Sequence, residues 1–255
     1  MFPYFKLFWQ TIYFQWIWII LATAMFIYWV YRYSKKFNLK TSTFISFLPF
    51  FIIVPYFLWR YVYDLLTYHF IFPTSFTSLI SPYHYNFSFI GVSFGIFFMI
   101  FFYILSLKYR QEKLKTIDVF FYSICLSLVV LWPFLLLWDN FYWIWTNSVF
   151  GISPLTVNTQ IPMLELKRWP VWIFLSLLWL WLYLLTKIIY LIVKKPGISL
   201  FVSPLLFLWL AYIFHFQLYP KHFLFWIDVK LLYCYIMAIL VPVILYLLTL
   251  NKQKW

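Results

Sequence analysis

Glycine, acidic residues and cysteine are all scarce in this chain of 255 residues. It has four glycines, six carboxylates and two cysteines. Gly91, Gly95, Gly151 and Gly197 are so spaced that no phosphate-cradling P-loop and no Gly-rich dinucleotide turn occurs. Gly91-Val92-Ser93-Phe94-Gly95 has Gly-x-Ser-x-Gly spacing, but it lies in a long apolar run and not at the strand-to-helix turn that makes the elbow of a serine hydrolase. Cys125 and Cys234 both fall in apolar runs, where a cysteine behaves as a small buried hydrophobe. A disulfide framework and a metal site are therefore not expected. The four histidines, His69, His84, His215 and His222, have no metal-ligand spacing and no nearby cysteine pair. Small residues normally let membrane helices approach closely. Their shortage leaves that work to aromatics, which make up 28% of the chain.

Charge of one sign is the next absence. Nineteen Lys and Arg face only six acids, for a net charge of +13. Nucleic acid is nevertheless not an expected partner. The cations occur as short clusters between apolar runs, and no soluble domain remains to bind DNA or RNA. Such clusters are explained by membrane orientation and by anionic headgroups.

What the chain has in abundance is long hydrophobic runs. A helix needs roughly 20 apolar residues to cross the hydrocarbon core. Seven runs qualify: Ile12–Tyr31, Thr43–Tyr63, Phe87–Leu107, Ile117–Trp138, Val171–Val193, Ile198–Phe216 and Leu224–Leu250. Basic clusters follow every second run. Arg32, Lys35, Lys36 and Lys40 follow the first, and Lys108, Arg110, Lys113 and Lys115 the third. Lys194 and Lys195 follow the fifth, and Lys252 and Lys254 the seventh, so twelve of the nineteen cations share one side. The positive-inside rule then puts the N-terminus outside and the C-terminus in the cytoplasm. The expected fold is an all-α membrane protein of seven transmembrane helices, forming a single polytopic domain over residues 1–255. The two longest connections, Asp64–Asn86 and Asp139–Pro170, are both outside and read as re-entrant or surface-lying.

Ionisable groups near a membrane interior are costly, which makes each a candidate site. Asp118 stands at the expected cytoplasmic start of the fourth span, where the helix dipole favours a carboxylate. Asp64, Asp139, Glu165 and Asp228 fall towards the outer face, as do Arg60, Lys167, Arg168, Lys221 and Lys230. Two readings of this outer group stand side by side: a lipid-headgroup site, or residues that mark the interface and snorkel. Arg60 can hold a phosphate through its planar fork or pair with Asp64 at i+4. His84 is a candidate base near the interface. Gly91 and Gly95 place half of all the glycines at the start of the third run, in a Gly-xxx-Gly pair suited to close helix approach.

These segments together resemble the prolipoprotein diacylglyceryl transferases, bacterial inner-membrane enzymes of seven helices. The family's third helix opens with Gly-Met-Ser-Phe-His-Gly-Gly-Leu-Ile-Gly. Here Asn86-Phe87-Ser88-Phe89-Ile90-Gly91-Val92-Ser93-Phe94-Gly95 stands in that place, with Ser88, Phe89, Gly91 and Gly95 matching. Leu58-Trp59-Arg60-Tyr61 falls where the family's second helix carries its Arg, and Lys115-Thr116-Ile117-Asp118 resembles the entry to its fourth. Departures are equally specific. Ile90 replaces the motif histidine. Only Asn140 and Phe141 echo the signature after the fourth helix, without its Arg or Glu. Gln160-Ile161-Pro162-Met163-Leu164-Glu165 faintly resembles the element before the fifth, and Leu206–Phe216 has no counterpart of the family's Arg and Glu.

The resemblance implies transfer of a diacylglyceryl group from phosphatidylglycerol to the lipobox cysteine of a lipoprotein precursor, without a cofactor, at the bacterial inner membrane. It makes Arg60, Asp139, Asn140 and Glu165 the candidate headgroup-binding residues. With Ile90 at the histidine position, His84 is the candidate replacement base. Two alternatives remain open: a non-catalytic lipid- or peptide-binding relative, and an unrelated seven-span transporter or assembly protein. Polar groups at mid-membrane, which a transporter uses, are few here.

Overall fold

A computed structural model describes residues 4–7, 10–67, 89–135, 142–143, 171–215, 217–219, 223–224 and 227–250. Among the described residues, seven helices fall on the seven apolar runs. They are α1 (Phe14–Lys36), α2 (Thr41–Thr67), α3 (Phe89–Ser106), α4 (Arg110–Leu135), α5 (Val171–Val193), α6 (Ser199–His215) and α7 (Val229–Leu250). Three contain stretches long and apolar enough to cross a membrane, namely Thr41–Trp59, Ile173–Val193 and Val229–Leu250. The fold is thus helical and of membrane type. Short antiparallel ribbons lie outside the helices: β1 (Tyr4–Leu7) with β2 (Gln10–Tyr13) before α1, β3 (Tyr142–Trp143) with β4 (Gln217–Tyr219), and β5 (Phe223–Leu224) with β6 (Ile227–Asp228).

The helices pack in close pairs, α2 on α3, α6 on α7, and α1 and α5 each on α4. α4 also touches α3, α6 and α7, which makes it the axis of the bundle. Its residues Ile117, Val119, Phe120, Tyr122 and Cys125 are buried accordingly. Aromatic packing replaces small-residue packing here. The Phe120 ring lies 5.2 Å from Phe51, 5.4 Å from Tyr103, 6.0 Å from Phe44 and 6.1 Å from Phe26, so one α4 side chain ties α1, α2 and α3 together. Offset and edge-on aromatic pairs at these distances add to the area they bury.

One end of the bundle collects the chain reversals that carry the basic clusters. The α1 C-terminus closes with Leu39 N–H on the Ser34 carbonyl at 2.8 Å and Asn38 in the left-handed region, a Schellman-type ending. Lys115 Nζ, from the first turns of α4, donates to the Phe37 carbonyl just beyond α1 at 3.4 Å. Lys113 Nζ donates to the Leu248 carbonyl in the last turn of α7 at 3.0 Å. The Asp118 carboxylate accepts from the Gly197 amide at 2.6 Å, from the Ser199 amide at 3.0 Å and from the Ser199 hydroxyl at 2.5 Å, all at the start of α6.

Asp118 therefore differs from its sequence reading. α4 begins at Arg110, about two turns earlier, and the acid in its first turn is Glu112. Asp118 caps the N-terminus of another helix. The amides of a first turn have no intrahelical acceptor, and a buried carboxylate supplies one where the dipole is positive. Lys113 and Lys115 do the converse, bringing ammonium groups to orphan carbonyls at C-terminal ends. Gly197 makes the α6 cap possible: its φ is +93°, and a methyl group there would lie 2.6 Å from Leu114 Cδ2.

Candidate functional site

The sequence assigned a site to the end of the bundle away from the basic clusters. At that end, what holds α3 to α2 is the absence of side chains at Gly91 and Gly95. A methyl group at Gly95 would sit 2.6 Å from Pro55 Cα and 3.1 Å from Pro55 N. One at Gly91 would meet the Leu58 carbonyl oxygen and lie 2.7 Å from Trp59 Cα. The two backbones are therefore in direct contact over one turn of each helix. Trp59 is buried in this region at 3% exposure. Arg60 follows it directly in α2, roughly 28 Å along the helix from Thr41. The third-helix motif and the stretch that carries Arg60 are brought together by this packing.

α7 joins the same region from its first turns. Ser93 Oγ lies 2.8 Å from the Tyr233 hydroxyl, linking α3 to α7, and it donates to the Ile90 carbonyl at 3.1 Å. Asp228, buried at the head of α7, accepts from the Lys230 amide at 2.9 Å and acts as that helix's N-cap. Cys234 is fully buried beside them and Cys125 is fully buried in α4. Both are free thiols with no metal-ligating group of three around them among the described residues. They act as buried packing residues.

Phe89 opens α3, and Gly91 and Gly95 lie in its first two turns. The side chain of Arg60, and Ser88, His84, Asp139, Asn140 and Glu165, lie outside the described residues. Two positions after Asn140, Tyr142 and Trp143 pair with Tyr219 and Gln217, which joins the chain after α4 to the connection between α6 and α7.

Sequence reasoning passed over three groups that the structure builds into polar contacts. Tyr233 is one of 22 tyrosines, and nothing in its neighbours marks it out. Ser93 was inside the quoted motif but carried no match. Lys113 reads in the sequence as one more cation of an orienting cluster; it is 1% exposed, and burial pulls its pKa below the ordinary lysine value. The chain matches no protein-family model, no curated protein and no solved structure.

Proposed function

We propose that the chain is a seven-span protein of the bacterial inner membrane, with its N-terminus outside and its basic end in the cytoplasm. It is a divergent relative of the prolipoprotein diacylglyceryl transferases and engages phosphatidylglycerol at its outer end, moving the diacylglyceryl group to a lipobox cysteine. The observation that carries this reading is the backbone contact of Gly91 and Gly95 with Pro55 and Leu58–Trp59. It gives the motif glycines a positional reason, and it sets the segment that bears Arg60 beside the motif. The convergence of the basic segments supports the orientation.

In this reading Arg60 holds the phosphate of the headgroup, because a guanidinium matches a phosphate with paired donors. Asp139, Asn140 and Glu165 complete the polar lining. The thiol of the incoming peptide needs a base, and the leaving glycerol phosphate needs a cation. His84 takes the first role and Arg60 the second.

The test is a transfer assay on purified protein with phosphatidylglycerol and a lipobox peptide. Arg60→Ala is expected to lower transfer by roughly 100-fold or more, the usual size of one lost charge-stabilising group. His84→Ala is expected to abolish most of the remainder.

A second reading is favoured by one feature, Ile90 at the histidine position of the motif. It makes the chain a non-catalytic relative that binds the lipid or the peptide. Phosphatidylglycerol binding that depends on Arg60, without any transfer, would select it.

A further inference from the structure

α1 and α5 run in the same direction along α4, both ending at the basic end. Near that end their side chains meet over α4. The Tyr33 and Tyr183 hydroxyls are 2.8 Å apart, and Tyr122 of α4 lies against both rings at 5.4 and 5.8 Å. Two cations close on this bridge, one from each helix. Arg32 sits 5.5 Å from the Trp29 ring centroid, bonds to the Tyr28 hydroxyl at 3.1 Å and acts electrostatically on Tyr33. Lys187 Nζ lies 5.6 Å from the centre of the Tyr183 ring.

Neither cation has a carboxylate partner among the described residues. Asp118, the acid of α4 that acts electrostatically on Tyr122, is taken up by Gly197 and Ser199. One helical turn before each bridging tyrosine stands a tryptophan, Trp29 on α1 and Trp179 on α5. Both indole N–H groups are buried without an acceptor, and Trp179 is only 3% exposed. Buried donors in native proteins are almost always satisfied. The Trp29 ring lies 5.9 Å from that of Tyr33, so the seam holds two cations without a carboxylate and, beside them, one unsatisfied donor, all suited to the oxygens of an anion. Beside it, Tyr28, Leu184 and Ile188 turn large apolar surfaces outward, at 52%, 45% and 54% exposure. An occupant that suits both surfaces has an anionic head and apolar chains.

We propose that the α1/α5 seam binds the phosphate of an anionic glycerophospholipid from the leaflet at the basic end, held by Arg32 and Lys187 and by the Trp29 N–H. This site is separate from the outer end. It rests on the membrane reading of the fold and not on transferase activity.

The test uses the full chain purified in detergent. Binding of phosphatidylglycerol is compared with that of phosphatidylcholine by native mass spectrometry and by the shift in melting temperature. The wild type is expected to prefer phosphatidylglycerol. Arg32→Gln with Lys187→Gln should reduce that affinity at least about tenfold, the worth of a single charge-assisted contact to phosphate. The pair Arg32→Lys with Lys187→Arg keeps the charge and should retain the preference. Lys36→Gln with Lys40→Gln removes equal charge from the same end and should leave it intact. Equal losses in the two Gln pairs would make the preference diffuse electrostatics and overturn the site. So would an unchanged preference in the Arg32/Lys187 variant. A melting shift from inorganic phosphate as large as that from the lipid, and lost in the same variant, would overturn the lipid assignment in favour of a free anion.

Discussion

Within two turns of α4, Lys113, Lys115 and Asp118 each complete the end of a different helix, α7, α1 and α6. The sign of each charge suits the end it serves: cations at carbonyls, a carboxylate at amides. Asp118→Ala leaves the Gly197 and Ser199 amides buried without acceptors, since Asp118 itself is fully buried. It is expected to cost about 3 kcal/mol, the order of one or two unsatisfied buried donors. Ser199→Ala removes only one of the three donors and should cost about 1 kcal/mol. Reversible unfolding in mixed micelles, comparing the two variants, checks the order. Lys113→Met keeps the buried stem but frees the Leu248 carbonyl, and should cost about 1 kcal/mol in the same measurement.

At the level of elements, α3 approaches α2 backbone to backbone, and this depends on two hydrogen atoms where other residues carry a side chain. Gly95→Ala would put a methyl group on Pro55, backbone against backbone, so the helices must separate. The expected loss is about 1–3 kcal/mol, typical of inserting a methyl group into a packed interface. If the site is as proposed, phosphatidylglycerol binding at the outer end falls with it, since the segment carrying Arg60 shifts. Binding that stays unchanged in Gly95→Ala would separate the packing from the site. The α3–α7 contact has its own test. A double-mutant cycle of Ser93→Ala and Tyr233→Phe should give a coupling of about 0.6 kcal/mol, the usual size for a hydroxyl pair between membrane helices.

For the whole molecule, the decisive measurement is sidedness. Single cysteines replacing Lys36 and Lys195, on a background where Cys125 and Cys234 are Ala, are expected to label only from the cytoplasmic side of spheroplasts or inverted vesicles. Cysteines in the segments 68–88 and 144–170 should label only from outside. Labelling of positions 36 and 195 from opposite sides would rule out the orientation, because both belong to one end of the bundle. The native thiols are expected to resist the reagent in the folded protein, as both are fully buried.

Much of the helical layout was legible in the sequence. The apolar runs predict helices at Val171–Val193 and Thr43–Tyr63, and the structure has α5 over Val171–Val193 and α2 over Thr41–Thr67. Hydrophobic length is a local property, written residue by residue, and so are the positions of the basic clusters and of Gly91 and Gly95. The roles of polar side chains were much less legible, because they depend on what comes near in space. Asp118 read as serving its own helix and instead serves α6, 79 residues on from it at Gly197. Lys113 reads as one cation of the basic cluster after the third run and meets Leu248, 135 residues away. Tyr33 and Tyr183 are likewise separated by 150 residues, and only their packing on α4 makes them a pair. A hydrogen bond acts over about 3 Å, so its partner is chosen by the fold and not by the neighbouring sequence. The sequence by itself determined where the long apolar helices of the described residues form and where the charges gather. Tertiary packing alone decided which charges serve helix ends and which are left exposed, because a partner distant in sequence is brought within about 3 Å only by the fold.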